Sequence, residues 1–251
     1  MPIKLKSDDE IAIMREAGSI VAQTMNLLVD ALRPGLVVRD LDNIARAEFK
    51  RRDVVPTFLG YAQPPYPATV CVSVNEELVH GIPGKRVIQE GDVVSIDLGC
   101  THKGFVADHA VTVIVGDGSA EAKKLVDVTK KALDVGIGRL KPGVRLGEVG
   151  QAIQDCIESE GFGVVREYCG HGVGRDMHEE PQVPNYGPPE RGQILKKGMV
   201  LALEPMVTVG DWHTKQLDDK WTVVTADGSL SAHFEHTIAV TDNGPLVLTV
   251  P

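Results

Sequence analysis

Glu90-Gly91-Asp92-Val93-Val94-Ser95-Ile96-Asp97 and Lys197-Gly198-Met199-Val200-Leu201-Ala202-Leu203-Glu204 share one pattern: a charged residue and a glycine open an apolar run that closes on a carboxylate. Glu204 follows Asp97 by 107 positions. Other pairs keep the same order. Asp108-His109-Ala110-Val111 is answered by Glu235-His236-Thr237-Ile238, and His80-Gly81-Ile82-Pro83 by His178-Glu179-Glu180-Pro181. Upstream, Arg33-Pro34-Gly35-Leu36 is answered by Lys141-Pro142-Gly143-Val144. Solenoid repeats run roughly 20–50 residues, so self-similarity at this longer period points to a duplicated half-domain. Two related halves bury a shared face, and a site is expected between them.

The chain has 251 residues, which is enough to bury a sizeable core. It reads as a single domain over 1–251, built of half-repeats at roughly 8–115 and 119–245. A formal net charge of −9 argues against nucleic acid as a direct partner. The one basic triplet, Lys50-Arg51-Arg52, reads as a solvated helix end. The four cysteines, Cys71, Cys100, Cys156 and Cys169, show no CxxC spacing, and no stretch approaches 20 apolar residues. A reducing cytoplasm is the expected location, with no membrane association.

Ser7-Asp8-Asp9-Glu10 is a capping box, and Ile11, Met14, Ile20, Val21, Met25, Leu28 and Leu32 follow at helical spacing until Pro34-Gly35. Asp40 is expected to cap a second helix carrying Leu41, Ile44, Ala45 and Phe49. The second half repeats this order, with Ser119 opening one helix and a further helix over roughly 147–160. Strands are expected at Val70–Val74, Val93–Leu98, Phe105–Val115, Val164–Tyr168, Val200–Val207, Trp221–Thr225, Phe234–Val240 and Leu246–Val250. They are too closely spaced for parallel crossovers of a dozen or more residues, so antiparallel hairpins are expected near 99–104 and 242–244. The fold class is α+β, with helices backing a curved antiparallel sheet in two pseudo-symmetric halves.

A hairpin turning near 99–104 would bring Asp97 and Asp108 to one end of the sheet, and Glu204 and Glu235 should meet likewise. Four carboxylates in one partly buried place require neutralisation, because like charges and burial both disfavour ionisation. Two divalent cations would match that charge. Oxygen ligands with an imidazole and no thiolate suit Mn, Fe, Co or Zn in a catalytic rather than a structural site. A metal pair of this kind supports hydrolysis of an amide or ester. Gly170-His171-Gly172-Val173-Gly174 gives His171 flexible neighbours, and His80 and His178 remain to bind substrate or its tetrahedral intermediate. His102, His109 and His213 read as structural or surface residues, and His236 as one that orients Glu235.

At these residues the sequence resembles the type I methionine aminopeptidases of the pita-bread metallopeptidase fold, in their short bacterial form. The match runs through Ser73-Val74-Asn75-Glu76 to His80-Gly81-Ile82-Pro83, Ser95-Ile96-Asp97-Leu98-Gly99, Cys169-Gly170-His171-Gly172-Val173-Gly174 to Met177-His178-Glu179-Glu180-Pro181, Leu203-Glu204-Pro205 and Phe234-Glu235-His236-Thr237. The resemblance implies metal ligands at Asp97, Asp108, His171, Glu204 and Glu235, with Asp108 and Glu235 bridging two divalent ions (Co, Mn, Fe or Zn). It also implies catalytic roles for Glu204 as proton acceptor, His178 at the scissile carbonyl and His80 at the scissile amide. A methionine pocket would be lined by Phe58, Tyr61, Tyr66, Cys71, Met177 and Trp221, and a monovalent cation would lie near Asn75 and Ser231.

The reaction so implied removes the initiator methionine of nascent polypeptides when the second residue is small. The enzyme would be a monomer that meets the ribosome weakly or indirectly. Met1-Pro2 itself fits the substrate pattern. Three departures from the family pattern bear on the pocket: a Tyr61–Tyr66 loop about two residues longer, Met177 in place of Phe, and His233 in place of Gln. Two rivals are an aminopeptidase P or prolidase, which carry an extra N-terminal domain, and a non-catalytic pita-bread scaffold, which would have lost ligands.

Overall fold

Ser7 starts the first helix, α1 (Asp8–Ala31), as its side chain requires: Oγ accepts from Glu10 N at 3.2 Å while Glu10 Oε2 accepts from Ser7 N at 3.0 Å. Such a cap stabilises a helix by about 1 kcal/mol. The structure, a computed structural model, describes residues 2–251. Met1, half of the Met1-Pro2 start, lies outside the described residues. The second helix, α2 (Arg39–Arg52), corrects the expected Asp40 cap. Its first residues follow Val38, which makes no side-chain cap bond, and Asp40 sits inside the first turn. The reason is that Val38 N and Arg39 N already donate to the carbonyls of Arg86 and Gly84, so the helix start is satisfied by a neighbouring segment. The basic triplet forms the helix end as expected, with Lys50 and Arg51 exposed and Arg52 partly buried. Arg52 binds Glu48 at 2.5 Å and Gln23 of α1 at 2.8 Å.

The rest of the first half is β1 (Val55–Pro56), β2 (Val70–Val74), β3 (Glu77–Val79), β4 (Val93–His102) and β5 (Phe105–Ile114). Then follow α3 (Ala120–Arg139), α4 (Leu146–Glu158), β6 (Gly163–Val164), β7 (Gly170–Gly172), β8 (Glu179–Val183), β9 (Val200–Leu203) and β10 (Met206–Thr208). The chain closes with β11 (Thr214–Gln216), β12 (Val223–Thr225), β13 (Ser231–His233), β14 (Glu235–Thr241) and β15 (Gly244–Val247). A nine-stranded sheet runs β1-β4-β5-β14-β9-β7-β8, with β2 added on β4 and β15 on β14. Two three-stranded sheets, β13-β10-β6 and β11-β12-β3, complete an antiparallel architecture. This is the expected α+β fold, its main sheet curled into a half-barrel.

Of the strand boundaries that differ from expectation, two matter for the site. The β4–β5 hairpin turns only at Lys103-Gly104, with φ of 49° and 77°, a two-residue turn of the type that matches strand twist. Asp97 therefore lies within a strand rather than at its end. The expected strand Val200–Val207 breaks at Glu204-Pro205, because proline has no N–H to continue the ladder. Residues before the break pair with β14, and residues after it pair with β13 and β6. Of Val164–Tyr168 only the first residue is strand. The unexpected strands β1, β3, β7, β11 and β13 have two or three residues each, too short to show a period-two pattern, whereas β8 carries Glu179, Glu180 and Pro181, residues that disfavour a strand by propensity.

Helices cover one face of the sheet. Ala17, Val21, Met25 and Leu28 of α1 pack on Val94, Ile96, Leu98 and Cys100 of β4. Leu125 and Leu133 of α3, with Val149 and Ile153 of α4, pack on Leu201, Leu203 and Ile238. Full burial of such a side chain contributes about 1.5–3 kcal/mol, so these two clusters fix the sheet's curvature. At Gly18 of α1 a Cβ would stand 2.3 Å from the Leu248 carbonyl oxygen, which lets the C-terminal segment run against the helix. Among the described residues no helix is long and apolar enough to cross a membrane.

Candidate metal centre and adjoining pocket

Strand register alone gathers most of the carboxylates. Asp97 stands opposite Cys71 on one side and Ala110 on the other, Gly99 opposite Asp108, and Glu235 opposite Ala110. Directly paired residues project to the same face, so Cys71, Asp97, Asp108 and Glu235 share the face turned away from the helices. Gly99 and Ala110 keep that face open. A Cβ at Gly99 would lie 3.3 Å from Asp108 Oδ1 and 3.0 Å from Phe58 Cε1. Glu204 joins from the end of β9, and His171 from β7, opposite Ala202.

The glycines flanking His171 do not make it flexible, contrary to the sequence reading. A Cβ at Gly170 would stand 2.3 Å from the Ala202 carbonyl oxygen, and one at Gly172 would stand 2.2 Å from that of Glu180. They allow a close backbone approach that holds β7 firmly in the sheet. His171 Nδ1 lies 2.9 Å from the Gly172 carbonyl, to which it donates, and this leaves the Nε2 lone pair facing Glu204 Oε1 at 3.6 Å. The ligand-type atoms of Asp108, His171 and Glu235 all lie within 4.8 Å of one another.

Burial is the main force on every charge here. It pushes the carboxyls of Asp97 and Glu235 well above the usual carboxylate range, and neighbouring carboxylates push them further. Asp108 is raised by burial and by Glu204, and Glu204 by burial. Burial likewise pushes His171 down to about 3 and His80 down to about 4, so both rings are neutral at pH 7. Asp97 Oδ1 and Glu235 Oε1 are buried without a hydrogen-bond partner. Orphaned acceptors are costly, and four adjoining carboxyls with one neutral imidazole form a donor set that fits hard divalent cations.

One cavity of about 590 Å³ adjoins this cluster, lined by Phe58, Tyr61, Tyr66, Cys71, His80, Asp97, Asp108, His171, Met177, His178, Glu204, Trp221 and Glu235. Every residue singled out for a metal, catalytic or pocket role thus faces the same space. Tyr66 is fixed by its hydroxyl, which donates to the carbonyls of Gly81 and Val70. It meets Trp221 edge-on at 5.1 Å. Ser231 N and Oγ both donate to the Asn75 carbonyl at 2.9 and 3.0 Å, so that oxygen has partners of its own. His102 and His213 lie outside the site, against Glu16 and Asp211.

Several supporting residues gave no usable signal in the sequence. Buried Asn185 donates from Nδ2 to the Glu204 carbonyl at 2.9 Å. His109 donates from Nδ1 to the Glu235 carbonyl at 2.5 Å and stacks on His236 at 4.6 Å, while His236 binds Thr249. Thus His109, rather than His236, touches Glu235, and it holds the backbone carbonyl of that residue. Lys6 and Glu179, both nearly inaccessible, pair at 2.7 Å and tie the N-terminal segment to the loop that carries His178.

A buried face of carboxylates and one imidazole, set in a curled antiparallel sheet beside an apolar cavity, defines a metal-dependent hydrolase. The chain belongs to metallopeptidase family M24, whose model matches residues 12–242. Within that family its full-length similarity runs to methionine aminopeptidases. It is 52% identical to methionine aminopeptidase 1 of Bacillus subtilis over 97% of this chain and 98% of that protein. It is 49% identical to the methionine aminopeptidase of Clostridium acetobutylicum over 99% of each. The crystal structure of methionine aminopeptidase from Thermotoga maritima superposes with a TM-score of 0.97 at 48% identity over the whole of both chains. Prolidase from Pyrococcus horikoshii shares the fold, with a TM-score of 0.78 at 24% identity, and the present chain covers 63% of it.

Proposed function

We propose that the protein is a two-metal methionine aminopeptidase that cleaves the initiator methionine from nascent polypeptides whose second residue is small. The observation that carries this reading is the convergence of Asp97, Asp108, His171, Glu204 and Glu235 on one cavity, together with the histidines and apolar residues of a methionine pocket. These five side chains would hold two divalent ions, and Co, Mn, Fe or Zn would supply Lewis acidity and an acidified water there. Metal content would decide which ion, since the same ligands accept several.

The chain's own groups then divide the work. Glu204 accepts the proton of the attacking water, its main chain held by Asn185. His178, on the pocket rim, donates to the scissile carbonyl oxygen. His80 serves the scissile amide and the tetrahedral intermediate. Its backbone, at φ 60°, places the ring against Trp221 and Tyr168. Phe58, Tyr61, Tyr66, Cys71, Met177 and Trp221 enclose an unbranched thioether side chain, for which an apolar, sulfur-tolerant lining is suited. The enzyme would act as a cytoplasmic monomer with weak or indirect ribosome contact.

The test is release of free methionine from Met-Ala-Ser, against Leu-Ala-Ser, by protein stripped of metal and refilled separately with each ion. Cleavage confined to the methionine peptide and dependent on metal is expected. No turnover with any ion would refute the reading in favour of a binding scaffold. Full-length coverage of methionine aminopeptidases, against 63% of the Pyrococcus horikoshii prolidase, weighs against the prolidase alternative.

A further inference from the structure

The mouth of the cavity is spanned by one hydrogen bond, between Tyr61 Oη and His178 Nδ1 at 2.6 Å. The two residues lie 117 positions apart, one in each half of the chain, and their rings meet at 5.5 Å with a 42° tilt. Tyr61 is not a loose surface side chain. Gly60 N donates to the Tyr66 carbonyl, Tyr61 N to that of Phe58, and Tyr66 N to that of Tyr61, which ties the loop into a compact knot. Positive φ at Gly60 (83°) and Ala62 (58°) turns the chain on either side of Tyr61. Tyr66, anchored on the Gly81 carbonyl at 2.8 Å, fixes the loop to the segment that carries His80.

A neutral imidazole has one N–H and one lone pair, and the partner of one nitrogen decides the role of the other. A phenol at ordinary pH is protonated and a good donor to a ring nitrogen. If Tyr61 donates to Nδ1, the proton of His178 must sit on Nε2, the nitrogen left for the substrate. We propose that Tyr61 is a positioning residue for His178: its hydroxyl locks the Nε2–H tautomer and aims that N–H at the carbonyl oxygen of the bond to be cut. The inference rests on the reading of His178 as the carbonyl donor given above. It separates the two parts of Tyr61, the ring that lines the pocket and the hydroxyl that acts through His178.

The test compares wild type, Y61F and Y61A on Met-Ala-Ser, with imidazole nitrogen NMR of histidine-labelled protein in the metal-stripped and zinc-loaded forms. H178Q identifies the His178 signals. Y61F keeps the ring, so KM should change less than about twofold while kcat falls about tenfold, the size expected for one hydrogen bond used in the transition state. His178 should show a protonated Nε2 in wild type and a mixture of tautomers in Y61F. Y61A should raise KM as well, because it also removes lining. Unchanged kcat in Y61F, or a His178 tautomer that is Nδ1–H in wild type or insensitive to the substitution, would overturn the proposal. If wild type itself releases no methionine with any ion, the functional reading fails instead, and the NMR comparison still decides whether Tyr61 sets the ring.

Discussion

Stripping the metals should make the protein lose stability as the pH rises from 7 to 8, the reverse of an ordinary acid-sensitive protein. The carboxyls of Asp97 and Glu235 are raised well above their ordinary range by burial, and Glu204 is raised to about 8 from 4.5. In the unfolded chain all are ionised at pH 7. The folded metal-free protein therefore binds more protons than the unfolded one. The stabilisation is fully present below the ordinary carboxylate values and is lost as pH climbs through the folded ones. The buried histidines do not obscure this window. His80, His109, His171, His233 and His236 are depressed by burial to about 3 or 4, so their only contribution here is the last of the unfolded chain's imidazole protons, which opposes the fall by about 0.7 kcal/mol between pH 7 and 8. Each retained proton contributes a slope of about 1.4 kcal/mol per pH unit. With one to two protons retained by the coupled cluster, set against the histidine contribution, unfolding free energy should fall by about 0.7–2 kcal/mol between pH 7 and 8. Urea titrations of chelator-treated protein at the two pH values measure this. Metal-loaded protein, whose ligands are ionised in both states, should show no fall and only the slight rise that the histidines contribute, and D97N should flatten the metal-free slope by up to one proton. A metal-free stability that is constant or rises over this interval would refute the account of the cluster as a protonated, charge-frustrated site.

Other consequences follow from particular contacts. Replacing Glu235 by Gln, which keeps the shape and removes the charge, should weaken metal binding at least tenfold and methionine release in parallel, as read by metal titration and peptide assay. Gly172→Ala places a methyl 2.2 Å from the Glu180 carbonyl and should destabilise the fold by about 2–4 kcal/mol, measured by urea unfolding. Removing the Lys6 ammonium with K6M should cost about 1–3 kcal/mol, the size of one charged hydrogen bond, because Glu179 keeps Lys4 at 3.5 Å and the Arg175 N–H at 3.0 Å, and a double-mutant cycle with E179Q measures the coupling.

The helices were legible because their signals are local. Ser7 and Ser119 cap as their side chains dictate, and each apolar stripe faces a sheet. Asp40 misled because satisfaction of the α2 start comes from carbonyls at Gly84 and Arg86, a tertiary contact that no local motif announces. The metal-ligand candidates were legible as types and pairs, yet their meeting depends on strand register. The expected Asp97–Asp108 approach is right in outcome, although Asp97 lies mid-strand and the hairpin turns four residues beyond Gly99, at Lys103-Gly104. The supports Asn185, His109 and Lys6 are single polar residues whose partners are distant in sequence. Only packing reveals them.

Why a carboxylate at the end of an apolar run should mark the site has a geometric answer in the two glycines. Gly91 and Gly198 both adopt φ of 85°, which a side chain resists, and each donates its N–H across the sheet, to the Val115 and Val240 carbonyls. This anchors the phase of the strand that follows. Asp97 and Glu204 each stand six residues on, an even interval, and a period of two returns both to one face. What happens next differs. Asp97 remains within a continuous strand, with Cys71 and Ala110 as its flanking partners, whereas Pro205 forces the chain after Glu204 into another sheet. Glu235 begins β14 just after a matching break, and Phe234 N donates to the Pro205 carbonyl, joining the two breaks. Asp97 is thus held by ladder pairing on both sides and Asp108 by the ladder to Gly99 on one side and the Thr237 hydroxyl on the other, while Glu204 and Glu235 stand at a corner where the sheets part. A carboxylate at such a corner is free of ladder constraints on one side, which favours Glu204 over Asp97 for the proton-accepting role proposed above.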